Sequence, residues 1–484
     1  MSKILITTLG VGPLLNSEQS NGVREYRKAT YFFYNEDTKE RDKEEASFIG
    51  LVLAKKLKVD KIFLIGTAKS MWEEVYKQFL LKIGENPNKS PYYEEIIEIG
   101  DKSDKSSYKQ EFISENDLKN VNSIMDKYLK QINSRAKGGS ECIIIKYGIS
   151  ENELLENVKK FISLADDLNN NDEIYIDITH SFRSIPIFMF LMIQLINALY
   201  QEKNITIKDI YYGMLDAKRE FNNEAPIIKL TLLNNLLQWI NGMHNFFYLG
   251  NGYIITDILK KSSQRDKIKN KFKLISDLFN FNQIKPEIIK ELISHIKRYT
   301  PSENVNSQIL SYFKEYFIRH LEKLNLTAYL DNKPYLIELE FAKWNFDKHK
   351  YNNAYLGLNE SLITFITHSY IRYNKEIKEK YKEPYNKDLR KAIPPILDKL
   401  IDSLKNKIDI NINDLNYIVK IFRKVRNNIA HPKPTGTSDN ELEKYKKSFL
   451  TFYKILNNIF TDEVSEIIGK EKKILLEILE KKSN

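Results

Sequence analysis

The segment Glu173-Ile174-Tyr175-Ile176-Asp177-Ile178-Thr179-His180-Ser181-Phe182-Arg183 decides the fold. Residues 173–178 read as a short strand rich in isoleucine, of the kind that is buried on both faces of a sheet. Thr179, His180 and Ser181 then gather polar donors where the strand stops, and the apolar stretch 185–200 leaves that turn with helical character. Gln194 and Asn197 interrupt the stretch, and it falls short of the roughly 20 residues of a membrane span. It therefore reads as a buried helix.

Working outward, β-rich runs recur at 3–9, 61–65, 142–147 and 210–215, with 226–230 as a last edge strand. Helical patterns at 44–58 and 151–165 lie between them. Strands alternating with helices build a mostly parallel sheet covered on both faces, a Rossmann-like α/β arrangement. From Leu232 onward apolar residues recur at helical spacing, with Tyr, Phe and Leu dominant. The expected organisation is an α/β domain over 1–225 followed by an all-α domain over 226–484, and 484 residues suit two domains.

A composition of 42% hydrophobic and 29% charged residues fits folded domains and excludes a disordered or fibrous chain. Lys and Arg exceed Asp and Glu by 75 to 65, a net charge of +10 that biases the chain modestly toward polyanions. Cys142 is the lone cysteine, which excludes an intrachain disulfide and a cysteine-built zinc site and fits a reducing cytoplasm. Ile4-Leu5-Ile6 runs into Gly and polar residues without a cleavage site, so it reads as a first strand rather than a signal peptide. No membrane association is expected. The basic run 260–273 is either a solvated face or a track for an RNA backbone, and 469–482 reads as a short amphipathic packing helix.

In an open parallel sheet, ligands settle beyond the carboxyl ends of the strands, where loops and helix starts present N–H groups to anions. Three strand exits have suitable residues: Thr7-Thr8-Leu9-Gly10, Gly66-Thr67-Ala68-Lys69-Ser70, and the segment from Asp177 to Arg183. The candidate ligand-binding residues are Thr8, Gly10, Gly66, Thr67, Ser70, Thr179, His180, Ser181 and Arg183. Hydroxyls and backbone suit phosphate, and Arg183 adds charge or stacks on a base. Asp177 and Thr179 serve equally well as cap and turn formers. Gly10-Val11-Gly12 begins a dinucleotide fingerprint, but Pro13 and Leu15 break it, so a nicotinamide site is set aside.

The run Asp177-Ile178-Thr179-His180-Ser181 resembles the DxTHG motif of CRISPR-associated CARF proteins, with Ser181 in place of the motif's glycine. Gly66-Thr67 and Ser70-Met71-Trp72 are similar to the same group, so the resemblance covers roughly the first half of the chain. It implies a homodimer, or a higher homo-oligomer, that holds one cyclic oligoadenylate across its twofold axis. Cyclic tetra-adenylate is the favoured ring, acting as allosteric activator, and no cofactor is expected.

Near the other end, the helix-compatible run from Ile421 to Ala430 meets His431-Pro432, and proline disfavours helical backbone at the residue before it. His431 is then the last helical residue, where the macrodipole favours its protonated form. Arg426 precedes it by five positions, about 140° around an ideal helix, so one copy makes a poor site and two copies about a twofold axis make a better one.

This R-x4-H pattern resembles the catalytic motif of HEPN ribonucleases, and residues 354–370, with Asn359 and Glu360, resemble the first long helix of that bundle. The resemblance implies metal-independent cleavage of single-stranded RNA by its own 2′-hydroxyl, leaving a 2′,3′-cyclic phosphate and a 5′-hydroxyl. Arg426 would hold the phosphate, His431 would move protons, and Asn427 would orient the phosphate or the 2′-hydroxyl. The seven histidines form no H-x-H or H-E-x-x-H motif, which agrees with a metal-free reaction, and His244, His295, His320, His349 and His368 read as structural.

The joint expectation is a ribonuclease of type III CRISPR antiviral defence, switched on by a cyclic oligoadenylate. Two rivals are a CARF transcription regulator that binds DNA through its helical half, and a toxin or antitoxin partner whose helical half binds only protein.

Overall fold

The structure, a computed structural model, describes residues 1–11, 27–34, 41–180, 184–260, 266–323, 333–404 and 439–471, together with 473, 475, 476 and 479. It divides into two compact units, Met1–Asn234 and Asn235–Asn484.

The first unit is built on an eight-stranded sheet. Its strands are β1 (Lys3–Leu9), β2 (Ala29–Tyr34), β3 (Arg41–Ala46), β4 (Lys61–Gly66), β5 (Glu141–Ile144), β6 (Glu173–Asp177), β7 (Thr206–Gly213) and β8 (Glu224–Lys229). They lie in the order β3-β2-β8-β7-β6-β1-β4-β5. The five strands from β7 to β5 are parallel to their neighbours, while β7–β8 and β2–β3 are antiparallel. Leu5, Ile6, Leu64, Ile65, Ile174 and Ile176 are fully buried, as a sheet covered on both faces requires.

The chain lays β4 and β5 to one side of β1 and then returns to lay β6 and β7 on the other. The switch point is therefore the β1/β6 boundary. Alternate residues Leu5, Leu9, Ile62 and Leu64 enter a core with Val52, Trp72, Phe79 and Leu129. Those partners come from α1 (Ile49–Leu57), α2 (Trp72–Lys82) and α4 (Lys119–Ile132), with α3 (Pro91–Lys105) between the last two. Helix α5 (Glu151–Asp166) starts where Ser150 accepts a hydrogen bond from the Glu153 N–H, and α6 (Ser184–Leu199) follows β6.

Two readings of the sequence are corrected. The expected helix over 44–58 is a strand to Ala46 and a helix only from Ile49. Glu44 and Glu45 suit the solvated start of a helix, but they belong to β3, an edge strand, where charge blocks further strand pairing. The helix over 185–200 is present as α6 but is not buried all round: Ile185, Met189 and Ile193 are covered, whereas Ile187 is 64% and Leu191 49% exposed. The sheet also keeps β8, which crosses the division expected near residue 225.

The second unit is mostly helical, the described elements being α7 (Thr231–Leu249), which starts just before the division, α8 (Tyr253–Lys260), α9 (Asp266–Asn280), α10 (Pro286–Lys297), α11 (Val305–Glu322), α12 (Pro334–Asp347), α13 (Tyr351–Tyr373), α14 (Lys375–Tyr381), α15 (Lys387–Leu404), α16 (Asp439–Ile459) and α17 (Asp462–Lys470). Helix α12 serves two cores. Ile337 and Phe341 join Trp239, Phe272 and Phe317, while Tyr335, Leu339 and Ala342 join Leu358, Phe365, Ile393 and Phe452.

In the segment expected as a short amphipathic helix over 469–482, Gly469 still belongs to the last turn of α17, which begins after the Thr461 cap, while the described residues 473, 475, 476 and 479 are helical and Leu475 and Leu479 pack into the core. In the basic run, Lys260 pairs with Asp257 and Lys271 with Glu291, as on a solvated face. Among the described residues, no helix is long and apolar enough to cross a membrane.

Candidate ligand site at the strand ends

Parallel pairing sets Thr7 beside Asp177 and Leu9 beside Gly66, so the ends of β6, β1 and β4 stand side by side. Asp177 organises the exit of β6. Its Oδ2 accepts from Thr7 Oγ1 at 2.6 Å, and its Oδ1 accepts from the Thr179 N–H at 3.0 Å and from Thr179 Oγ1 at 2.6 Å. Thr179 Oγ1 accepts in turn from the Gly213 N–H at 2.8 Å, which ties the loop to the end of β7. A Cβ at Gly213 would stand 2.6 Å from Ile49 Cδ1 and 3.3 Å from Thr179 Cγ2, so a side chain there would disturb this contact. Burial lifts the Asp177 carboxyl to about 6, against the opposing pull of its threonine hydrogen bonds.

His180 faces inward. Its Nε2 accepts from the Ile49 N–H at 3.3 Å and lies 3.1 Å from the Tyr31 hydroxyl, an arrangement that leaves the ring proton on Nδ1. Burial lowers its pKa to about 4, so the ring is neutral near pH 7. It pins the loop to β2 and α1.

The exit of β4 is equally self-contained. Ser70 Oγ donates to the Leu9 carbonyl at 2.8 Å and accepts from the Thr67 N–H at 2.9 Å. Trp72 Nε1 donates to the Thr67 carbonyl at 2.9 Å, and the Met71 N–H donates to the Gly10 carbonyl at 3.1 Å. The loop folds tightly enough over Gly66 that a Cβ there would lie 2.8 Å from the Trp72 ring. Thr8 is buried, its hydroxyl 3.4 Å from the Asp177 carbonyl oxygen.

The structure thus brings Thr8, Gly10, Gly66, Thr67, Ser70, Thr179 and His180 to one edge of the sheet. The side chains of Thr8, Thr67, Ser70 and His180 are buried and shape the loops. Ser181 and Arg183 lie outside the described residues, as do Arg426, Asn427 and His431. Two further side chains join this edge. Tyr147, past β5, is partly exposed and hydrogen-bonded to the Thr67 side chain, with burial raising its phenol pKa. Lys69 reaches the Ser106 carbonyl with Nζ at 2.6 Å. Tyr147 had a signal in the sequence, an aromatic residue before Gly148 at a strand exit, but it reads there only as the end of a strand. The result is a strand-end rim whose buried hydroxyl groups hold the loops in place, with Gly10, Lys69, Tyr147 and Thr179 partly exposed along it.

Residues 4–216 match the family model of the CARF domain of CRISPR system endoribonuclease Csx1, and residues 235–326 match that of the second domain of CRISPR-associated protein MJ1674. CRISPR-associated protein MJ1674 of Methanocaldococcus jannaschii is 36% identical over 491 residues, spanning 99% of this chain and 71% of that protein. The chain belongs to the CRISPR-associated MJ1674 family. Its sheet unit is the CARF domain that the Asp177–Ser181 resemblance implied, and the MJ1674 second-domain match begins where the second unit begins. Among solved structures, Enterococcus italicus Csm6 bound to cyclic hexa-2′-fluoro-hexa-dAMP is similar over 99% of this chain and 100% of that one, with 11% identity and a TM-score of 0.39. That likeness is too slight to carry an argument.

Proposed function

We propose that this MJ1674-family protein is a metal-independent endoribonuclease of type III CRISPR antiviral defence, activated when its CARF domain binds a cyclic oligoadenylate, with cyclic tetra-adenylate favoured. The observation that carries the reading is the convergence of the β6, β1 and β4 exits on a preformed polar rim at the switch point of a CARF sheet. A ring of adenylates offers that rim what it is suited to hold, phosphates for N–H groups and Lys69, and bases for Tyr147.

The active form is a homodimer in which two copies share one ligand. Support comes from α6, which leaves the β6 exit and exposes Ile187, Leu191 and Leu199 as an uncovered apolar face. The second unit carries the HEPN chemistry. Arg426 holds the scissile phosphate, Asn427 orients it, and His431 shuttles protons while the 2′-hydroxyl attacks.

The test is incubation of the purified protein with labelled single-stranded RNA in EDTA, with and without cyclic tetra-adenylate, beside His431→Ala. The expected outcome is ligand-dependent cleavage to 2′,3′-cyclic phosphate ends, reduced at least about a thousandfold in the variant. Intact RNA with both the tetra- and hexa-adenylate rings overturns the reading and moves a DNA-binding regulator to first place.

A further inference from the structure

Helix α11, in the second unit, turns outward a stripe that its own packing does not use. Tyr312, Tyr316, Arg319 and Lys323 follow one another at steps of four, three and four residues, the spacing with which a helix usually faces a core. On an ideal helix the four fall within about 60° of one another. The core is met by the opposite side, through Leu310, Phe317 and Leu321, and Tyr312 is left 72% and Tyr316 56% exposed. Two large rings open to solvent one turn apart make an aromatic surface of the kind that interfaces use.

Cations stand among these rings. The Arg319 guanidinium lies 4.8 Å from the Tyr316 ring centroid, and Phe313 meets the same ring edge-on at 6.3 Å, so Tyr316 is held in one orientation. One residue on, His320 packs against Phe247 with ring centroids 4.5 Å apart. Burial lowers the His320 pKa to about 4, and the charges of Lys348 and Lys323 push it the same way, which places Lys348, just past α12, beside this turn of α11. Among the described residues, none of Arg319, Lys323 and Lys348 pairs with a carboxylate. Of the two acids on the exposed side of the helix, Glu315 and Glu322, the second is held by Lys297.

We propose that this face of α11 is a docking track for single-stranded RNA, with bases stacking on Tyr312 and Tyr316 and phosphates held by Arg319, Lys323 and Lys348. Exposed rings interleaved with unpaired cations match a polyanion whose flat faces are free, and unpaired bases have such faces whatever their sequence. A duplex offers the charge but keeps its bases stacked on one another. A second copy of the chain fits the face less well, because a twofold interface would set the same cations against each other. The naming of the strand as RNA rests on the ribonuclease reading, whereas the stacking face and its cations do not.

The experiment is fluorescence anisotropy of a labelled single-stranded RNA of mixed sequence with the full chain, in EDTA and without activator. Tyr312→Leu with Tyr316→Leu should weaken binding at least about tenfold, because leucine fills the same apolar surface but gives a base no ring to stack on. Tyr312→Phe with Tyr316→Phe keeps the rings and should bind as the unaltered chain does. Arg319→Gln with Lys323→Gln should lower the slope of log affinity against log salt by about 1.4, at about 0.7 for each phosphate contact of a single strand. The same RNA annealed to its complement should bind the tyrosine and leucine chains equally.

Both rings are more than half exposed, so all of these chains should melt alike and keep the same size in light scattering. If the leucine chain melts early, the salt slope of the glutamine pair decides alone. No binding by the unaltered chain, or single-strand affinity unchanged in the leucine pair, overturns the proposal. If that unchanged affinity comes with a smaller particle in light scattering, the face belongs to a second copy. A salt slope unchanged in the glutamine pair, or an equal loss on single strand and duplex, overturns it as well. Cleavage is not read, so failure here leaves the activator and His431 predictions standing, and their failure leaves the stacking and salt results standing.

Discussion

Asp177 and His180 sit three residues apart in the motif and titrate in opposite senses. The folded pKa of Asp177 rises from 3.8 to about 6, so its stabilising protonated form is fully present below 3.8 and is lost as pH rises through 6. His180 falls from 6.5 to about 4, so its neutral form stabilises above 6.5 and that contribution is lost as pH falls toward 4. Each amounts to roughly 3 kcal/mol at about 1.4 kcal/mol per pKa unit, and over pH 4–6 the two largely cancel. Asp177→Asn keeps acceptance from Thr179 and removes only the first term. Its stability relative to the unaltered chain should be up to about 3 kcal/mol better at pH 7.5 than at pH 4, read by denaturant melts at both. A difference that does not change with pH would mean that folding leaves the Asp177 pKa at its unfolded value. Asp177→Ala should instead cost about 2–4 kcal/mol, because the Thr179 N–H and the Thr7 hydroxyl lose their acceptor.

At the scale of elements, α6 is the helix that would link the proposed ligand rim to the proposed dimer. Its core-facing residues are covered, whereas Ile187 and Leu191, four apart on one face, are exposed. Ile187→Lys with Leu191→Glu should leave the melting free energy within about 1 kcal/mol, since both side chains are about half exposed or more, yet shift the protein from dimer to monomer in light scattering. A dimer that survives the pair puts the interface elsewhere.

The same element marks where the sequence was legible and where it was not. Strand β6 and its polar exit could be read because a buried strand ending in hydrogen-bonding residues is a local signal. The helix expected from residue 44 overran the end of edge strand β3 because Arg41–Ala46 is defined by its partner, Ala29–Tyr34, rather than by its own composition. His180 has the chemistry of a ligand contact, and only the distant Tyr31 and Ile49 turn it inward. Tyr312, Tyr316, Arg319 and Lys323 share a helical spacing, but which side of α11 meets the core is set only by tertiary packing.

At the scale of the whole molecule, the proposed nuclease makes a claim about which chain supplies which group. Arg426 and His431 stand about 140° apart on an ideal helix, so a cleft on a twofold axis is served most directly by the arginine of one copy and the histidine of the other. On this proposal, chains carrying Arg426→Ala and chains carrying His431→Ala should each be inactive as homodimers. A mixed dimer retains one intact pair drawn from the two copies and no intact pair within either copy. Random assembly makes half the dimers mixed, each with one of two pairs, so co-refolded variants should recover about a quarter of the unaltered cleavage rate. Activity should also follow the fraction of mixed dimers when the two chains are combined in unequal amounts. Recovery of that size would assign the site to the dimer and explain how a ligand bound on the axis of one pair of domains could control chemistry in another. If the mixture stays as inactive as its parents, arginine and histidine act within one chain, and the twofold cleft has to be abandoned.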